Sequence, residues 1–114
     1  MNETKYSFPK TRRLRQKEDF DRIFKQAVRR STGGITIRVL TNSMPFCRLG
    51  LMIGKKAGNA VTRNRVRRVL REHFRYAQHE MREASDVVVT VYGSLRDVSN
   101  SDVKNVFSEL LTRF

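Results

Sequence analysis

The chain has no tryptophan, one cysteine, two prolines and less than half as many acids as bases, 11 Asp and Glu against 24 Lys and Arg in 114 residues. Each scarcity closes a class of function. Cys47 alone cannot make an intrachain disulfide or a cysteine-paired zinc site, and this usage fits a reducing cytoplasm. Because Cys47 lies in an apolar, strand-like run, it reads as a small buried hydrophobe rather than a nucleophile. No apolar run approaches the roughly 20 residues of a spanning helix, and no basic segment leads into an apolar one, so neither a membrane span nor a signal peptide is expected. An interfacial helix would also lack a tryptophan anchor. His73 and His79 are badly spaced for a shared metal, and His73 falls on an apolar helix face as a core histidine would. Glu18, Asp19 and Asp21 cluster where a helix should begin, which suits the helix dipole better than a metal site. Gly54-Lys55-Lys56 lacks the spacing of a phosphate loop, and Gly54 with Gly58 lacks that of a KH loop. No catalytic residue, metal ligand set or small-molecule substrate is therefore expected.

Positive charge is what the chain has in excess. The net charge is +13, and residues 55–75 hold eight Lys and Arg against a single acid, Glu72. Val66, Val69, Leu70, His73, Phe74, Ala77 and Met81 recur at steps of three and four, one face of a helix. At about 100° per residue, Arg67, Arg68, Arg71 and Arg75 fall on the opposite face, with Arg63 near the seam. Asn59 and Thr62 are equally suited to cap this helix. Exposed helix faces usually alternate sign to gain i,i+4 pairs, and this one barely does. Such a face suits a polyanion, and arginine's planar fork suits phosphate in particular. The charge is uneven, ten bases and three acids over residues 5–30 but four and six over residues 76–114, so one surface faces the polyanion.

The rest of the chain supplies a compact frame. Residues 1–15 are polar and basic and read as an arm, and residues 16–114 as one domain. Glu18–Val28 has Phe20, Ile23, Phe24 and Ala27 at helical spacing, a short helix ending near Arg29-Arg30. Gly33-Gly34 punctuates the chain. Ile35–Leu40 alternates as a half-buried strand, Thr41–Pro45 is a turn, and Cys47–Ile53 is a second strand, so the two are expected to form a hairpin. After the basic helix come a buried strand over Asp86–Tyr92 and a helix over Ser99–Leu111, with Ser99 and Asp102 placed as a capping box. The expected fold is α/β (α+β), a two-layer sandwich. It has a single mixed sheet of about three to four strands with helices packed on it, in the order α-β-β-(β)-α-β-α.

The run Lys55-Lys56-x-Gly58-Asn59-Ala60-Val61-x-Arg63-Asn64-Arg65-Val66-x-Arg68, with Glu18-Asp19-Phe20-x-x-Ile23-Phe24 upstream, resembles the protein subunit of bacterial ribonuclease P. The resemblance spans nearly the whole chain, and the Arg-Asn-Arg block at fixed spacing is its specific part. It implies an accessory subunit of an endoribonuclease whose catalytic centre lies in an RNA partner. That RNA removes the 5′ leader of precursor tRNA, with Mg2+ held mainly by RNA. It implies RNA-subunit contacts by Lys55, Lys56, Asn59, Arg63, Asn64, Arg65, Arg67, Arg68 and Arg71, with Arg75 as an extension.

It further implies a cleft between the first helix and the sheet that grips the leader through Phe20 and Phe24, flanked by Lys10, Arg12, Arg13 and Arg15. Two Phe four apart on a helix would otherwise read as core. Where the family often presents another aromatic, this chain has Arg38, which turns stacking into a guanidinium contact. The family also joins two parallel strands across the basic helix by a left-handed crossover, where the general rule favours a right-handed one. From charge and frame alone, a general structured-RNA-binding module of ribosomal-protein-like fold remains the alternative.

Overall fold

The computed structural model describes residues 13–14, 16–32, 34–94 and 99–112, without the side chains of Thr32 and Leu110. The elements are α1 (Lys17–Gln26), β1 (Val28–Thr32), β2 (Ile35–Thr41), β3 (Arg48–Ile53), α2 (Ala60–Ala77), β4 (Ser85–Val91) and α3 (Asn100–Leu111). Single 3-10 turns at Lys55–Ala57 and Gln78–Glu80 flank α2. The four strands form one mixed sheet in the order β1-β2-β4-β3. The β1–β2 and β2–β4 pairs are antiparallel, whereas β3 and β4 are parallel and joined through α2.

Burial explains the order. β4 is central, and Val87, Val88, Val89 and Val91 are fully buried, as an unbroken apolar run demands when both sheet faces are covered. One face packs Ile35, Ile37, Leu49, Val87, Val89 and Val91 against Val66, Val69, Leu70 and Phe74 of α2 and Val103 and Phe107 of α3. On the other face, Val88 meets Ile23 of α1 and Leu14, with Phe20, Ala27 and Leu40 around them.

His73 sits half-buried against the Phe107 ring, centroids 5.4 Å apart, as a core histidine should. Desolvation first, then the charge of Lys104, holds its pKa below the usual value against the opposing pull of Glu80. The capping box forms: Asp102 N donates to Ser99 Oγ at 3.1 Å and Ser99 N to Asp102 Oδ2 at 3.3 Å.

Two expectations fail here. The first helix stops at Gln26, because Ala27 is already extended (φ −74°, ψ 153°), and Val28–Thr32 is a strand. The expected hairpin of 35–40 with 47–53 does not form, since β4 lies between β2 and β3. The hairpin is β1–β2 instead, turning at Gly34, whose φ of 79° favours glycine. An edge strand reading Val-Arg-Arg-Ser-Thr carries its charge outward, which blunts the edge but hides the strand's period.

Candidate nucleic-acid interface

Helix α2 begins where Asn59 Oδ1 accepts the Thr62 N–H at 2.9 Å, so Asn59 and not Thr62 is the cap. With its apolar face on the sheet, the helix presents Asn64, Arg67, Arg68, Arg71, Glu72 and Arg75 to an open groove of about 470 Å³. Arg13 joins that groove. Its backbone bridges Leu49 in parallel, and Leu14 N donates to Leu49 O at 2.8 Å, which ties the end of the N-terminal segment beside β3. Arg13 thus lies with the α2 arginines rather than with the leader residues among which the sequence placed it. Arg12 and Arg15 lie outside the described residues, as does Lys10.

Five guanidinium groups against Glu72, which reaches Arg75 at 3.8 Å, leave the groove strongly positive. Desolvation first, then Arg13 and Arg67, lowers the Arg71 pKa, the direction expected of a cation held among its like. Arg67 Nη1 donates to Asn64 Oδ1 at 3.0 Å, and both residues line the groove. The Arg-Asn-Arg triplet divides. Arg65 Nη1 donates to Asn100 Oδ1 at 2.7 Å and so leans toward α3. Arg63 is half-buried, with an Nε that has no hydrogen-bond partner. Lys55 and Lys56 stand exposed on the 3-10 turn before the helix.

A second surface lies on the opposite sheet face, beside α1. Phe24 is 43 % exposed, and the Arg38 guanidinium carbon lies 4.3 Å from its ring centroid. Phe20 is half-buried. A β-carbon at Gly50 would come within 2.9 Å of its ring, so the absent side chain is what lets Phe20 lie on the sheet. The register puts Thr36, Thr90 and Met52 on one rung of this face and Arg29, Arg38, Val88 and Gly50 on the next. Thr36 pairs its hydroxyl with Ser31 at 2.6 Å, whereas Thr90 Oγ1 is buried without a partner.

What holds α1 over this face escaped the sequence reading. Asp86, fully buried at the start of β4, accepts from Arg48 Nε and Nη2 at 2.8 Å each, Arg22 Nη2 at 2.7 Å and Asn42 Nδ2 at 2.8 Å. Asp19, expected to serve the helix dipole, also reaches Arg22 at 3.3 Å and Arg48 at 3.5 Å. The available signal was an acid leading a run of valines, since a carboxylate there must be buried and paired. Among the described residues no three His, Cys, Asp or Glu are grouped to hold a metal, and no helix is long and apolar enough to cross a membrane.

The chain as a whole is similar to known proteins. The family model described as Ribonuclease P matches residues 8–114. The chain belongs to the ribonuclease P protein family. The ribonuclease P protein component of Syntrophus aciditrophicus is 34 % identical over 109 residues, covering 96 % of this chain and 92 % of that one. That of Aliivibrio fischeri is 38 % identical, with 95 % and 92 % covered. Among solved structures, the RNase P protein of Staphylococcus aureus superposes with a TM-score of 0.82 at 27 % identity, covering 90 % of this chain and 94 % of that one. The Thermotoga maritima RNase P protein gives 0.78 at 30 %, covering 90 % and 96 %. The reading as a general RNA-binding module gives way, because the likeness runs through the whole ribonuclease P protein. As a ribonuclease P protein the chain is the accessory subunit of a ribonucleoprotein, with an RNA subunit as its partner.

Proposed function

We propose that this ribonuclease P protein promotes removal of the 5′ leader from precursor tRNA through two surfaces. The α2 groove anchors the RNA subunit, and the α1–sheet face grips the leader. The observation that carries the first assignment is the groove that gathers Arg13, Arg67, Arg68, Arg71 and Arg75 around a single acid. Lys55, Lys56, Arg63, Asn64 and Arg65 extend the same contact along the turn and helix, and Asn59 adds its amide while its oxygen caps α2. For the leader, Phe24 offers an open ring face and Phe20 a seated one, a combination that stacks bases without demanding a sequence. Arg38 stands beside them, and Arg12, Arg13 and Arg15 belong to the basic arm of residues 1–15, whose end at residues 13–14 lies against β3.

The protein supplies no group for bond cleavage. Asp19 and Asp86 are committed to arginines and do not fit a magnesium site, and in this reading the metal is held by the RNA. The complex works in the cytoplasm. Mechanistically the subunit acts by differential binding: cations screen repulsion between two RNAs, and the leader contact favours precursor over mature tRNA.

The affinity of the holoenzyme's RNA subunit for the Arg71→Ala protein tests the anchor. Removing one cation from a phosphate should flatten the dependence of log affinity on log salt by roughly 0.7 to 0.9. Arg67→Ala should do the same, because it faces the same groove. An unchanged slope in both variants would assign these arginines to structure instead.

A further inference from the structure

The backbone at Arg13 and Leu14 runs along the outer edge of β3, where it bridges Leu49 in parallel. Consecutive side chains of an extended segment point to opposite faces of a sheet. Arg13 accordingly lines the α2 groove, whereas Leu14, 4 % exposed, packs with Ile23 and Val88 under α1. The fit under α1 is close. A β-carbon at Gly50 would meet the Phe20 ring at 2.9 Å and the Leu14 β-carbon at 3.1 Å, so both side chains rest over the same glycine. Gln16, which follows shortly, is the N-cap of α1 but makes no side-chain hydrogen bond to it, so the start of the helix depends on packing such as that of Leu14. On the groove side the segment is opposed. Burial first, then the charge of Arg13, holds the Arg71 pKa below its usual value, because the two guanidiniums repel. A phosphate between them turns that repulsion into attraction.

We propose that Arg13 and Leu14 couple the two RNA surfaces: phosphates of the RNA subunit in the α2 groove draw Arg13 in, which seats Leu14 under α1 and positions Phe20 and Phe24 for the leader. This coupling rests on the leader reading of the α1–sheet face. Adjacent residues on one strand cannot respond separately, since a shift of the backbone at Arg13 moves Leu14 with it. The segment is also lightly held, by one bridge and one 2.8 Å hydrogen bond to Leu49 among the described residues, so the charge in the groove has leverage over it. Arg13 and Leu14 are therefore positioning residues. The coupling is reciprocal: a leader held against α1 strengthens the grip of Arg13 on the RNA subunit by the same factor.

Hydrogen exchange of this protein, free and bound to the RNA subunit without any substrate, is the test. Binding should slow exchange in α1 as well as in α2, in α1 by on the order of tenfold, the scale of a typical coupling between sites. No leader is present in this measurement, so a direct contact of Arg13 with the leader cannot produce the result. In Arg13→Ala, at concentrations that saturate the RNA subunit, α2 should still be protected while α1 exchanges as in the free protein. Arg13→Lys keeps the cation and should restore protection of α1. Equal protection of α1 in the wild type and Arg13→Ala, or no gain in α1 in the wild type, would overturn the proposal and leave Arg13 an ordinary phosphate contact. Cleavage by the same saturated complexes reads the consequence: the gain in kcat/KM from a long leader should fall in Arg13→Ala and return in Arg13→Lys. A gain unchanged by Arg13→Ala would also overturn the coupling. Absence of that gain in the wild type would instead remove the leader reading of α1, and the coupling to the leader with it.

Discussion

Asp86→Ala should lower the unfolding free energy by about 3 kcal/mol, the low end of the range for breaking a buried ion pair from one side. Asp86 is fully buried, and its removal leaves Arg48, whose side chain is 16 % exposed, and Arg22, at 38 %, facing each other without their shared carboxylate. Arg22 can turn to water, which keeps the loss from the high end. Asp19 cannot replace it, since its contacts to the same two arginines are longer, 3.3 and 3.5 Å. For a domain whose whole stability is of order 5–15 kcal/mol, such a loss populates the unfolded state visibly. Urea unfolding followed by circular dichroism measures it. A change below about 1 kcal/mol would mean that the network is solvated and that apolar contacts alone hold α1 to the sheet. The same network ties α1, which carries Phe20 and Phe24, to the sheet, so the fold and the proposed leader face share one buried carboxylate.

Phe24→Ala should reduce the preference of the holoenzyme for precursor over mature tRNA by on the order of tenfold, the worth of one base stacked on an aromatic ring. The effect should fall on precursor affinity alone, because mature tRNA has no leader to stack. Phe24 is the better site for this test than Phe20. Phe24 is 43 % exposed, so truncation removes little packing, whereas Phe20 lies over Gly50 and packs on the Leu14, Ile23 and Val88 cluster, and its loss would also loosen the small core on that face. Equal losses for precursor and mature tRNA would place Phe24 outside the leader path.

Much of this was legible in the sequence, and the gaps have physical causes. The α2 period gave both faces of the helix, because apolar steps of three and four separate cleanly from an unbroken arginine face. β4 was legible from its valines and α3 from its capping box. β1 was not, since an edge strand that shows Arg29 and Arg30 to solvent has no apolar alternation to read. Adjacency in sequence favours a hairpin of β2 with β3, while the pairing is decided by β4, which enters only after α2. Among site residues, Arg67, Arg68 and Arg71 face the groove as their spacing required. Arg65 leans toward Asn100, a partner 35 residues away that no helical period reveals. Arg13 reached the groove through a backbone bridge to Leu49, which side-chain pattern cannot show. Asp86 is the largest omission: its meaning depends on Arg22, Arg48 and Asn42, brought together only by the tertiary fold.

On the proposed reading, one small protein anchors an RNA catalyst and lengthens its hold on the substrate. The most direct measurement of this is cleavage of precursor tRNA by the RNA subunit at low magnesium and moderate salt, with and without this protein, on leaders of increasing length. Stimulation by the protein should grow with leader length and then level off once the leader face is filled. Stimulation independent of leader length, or none while binding to the RNA subunit is intact, would contradict the two-surface mechanism.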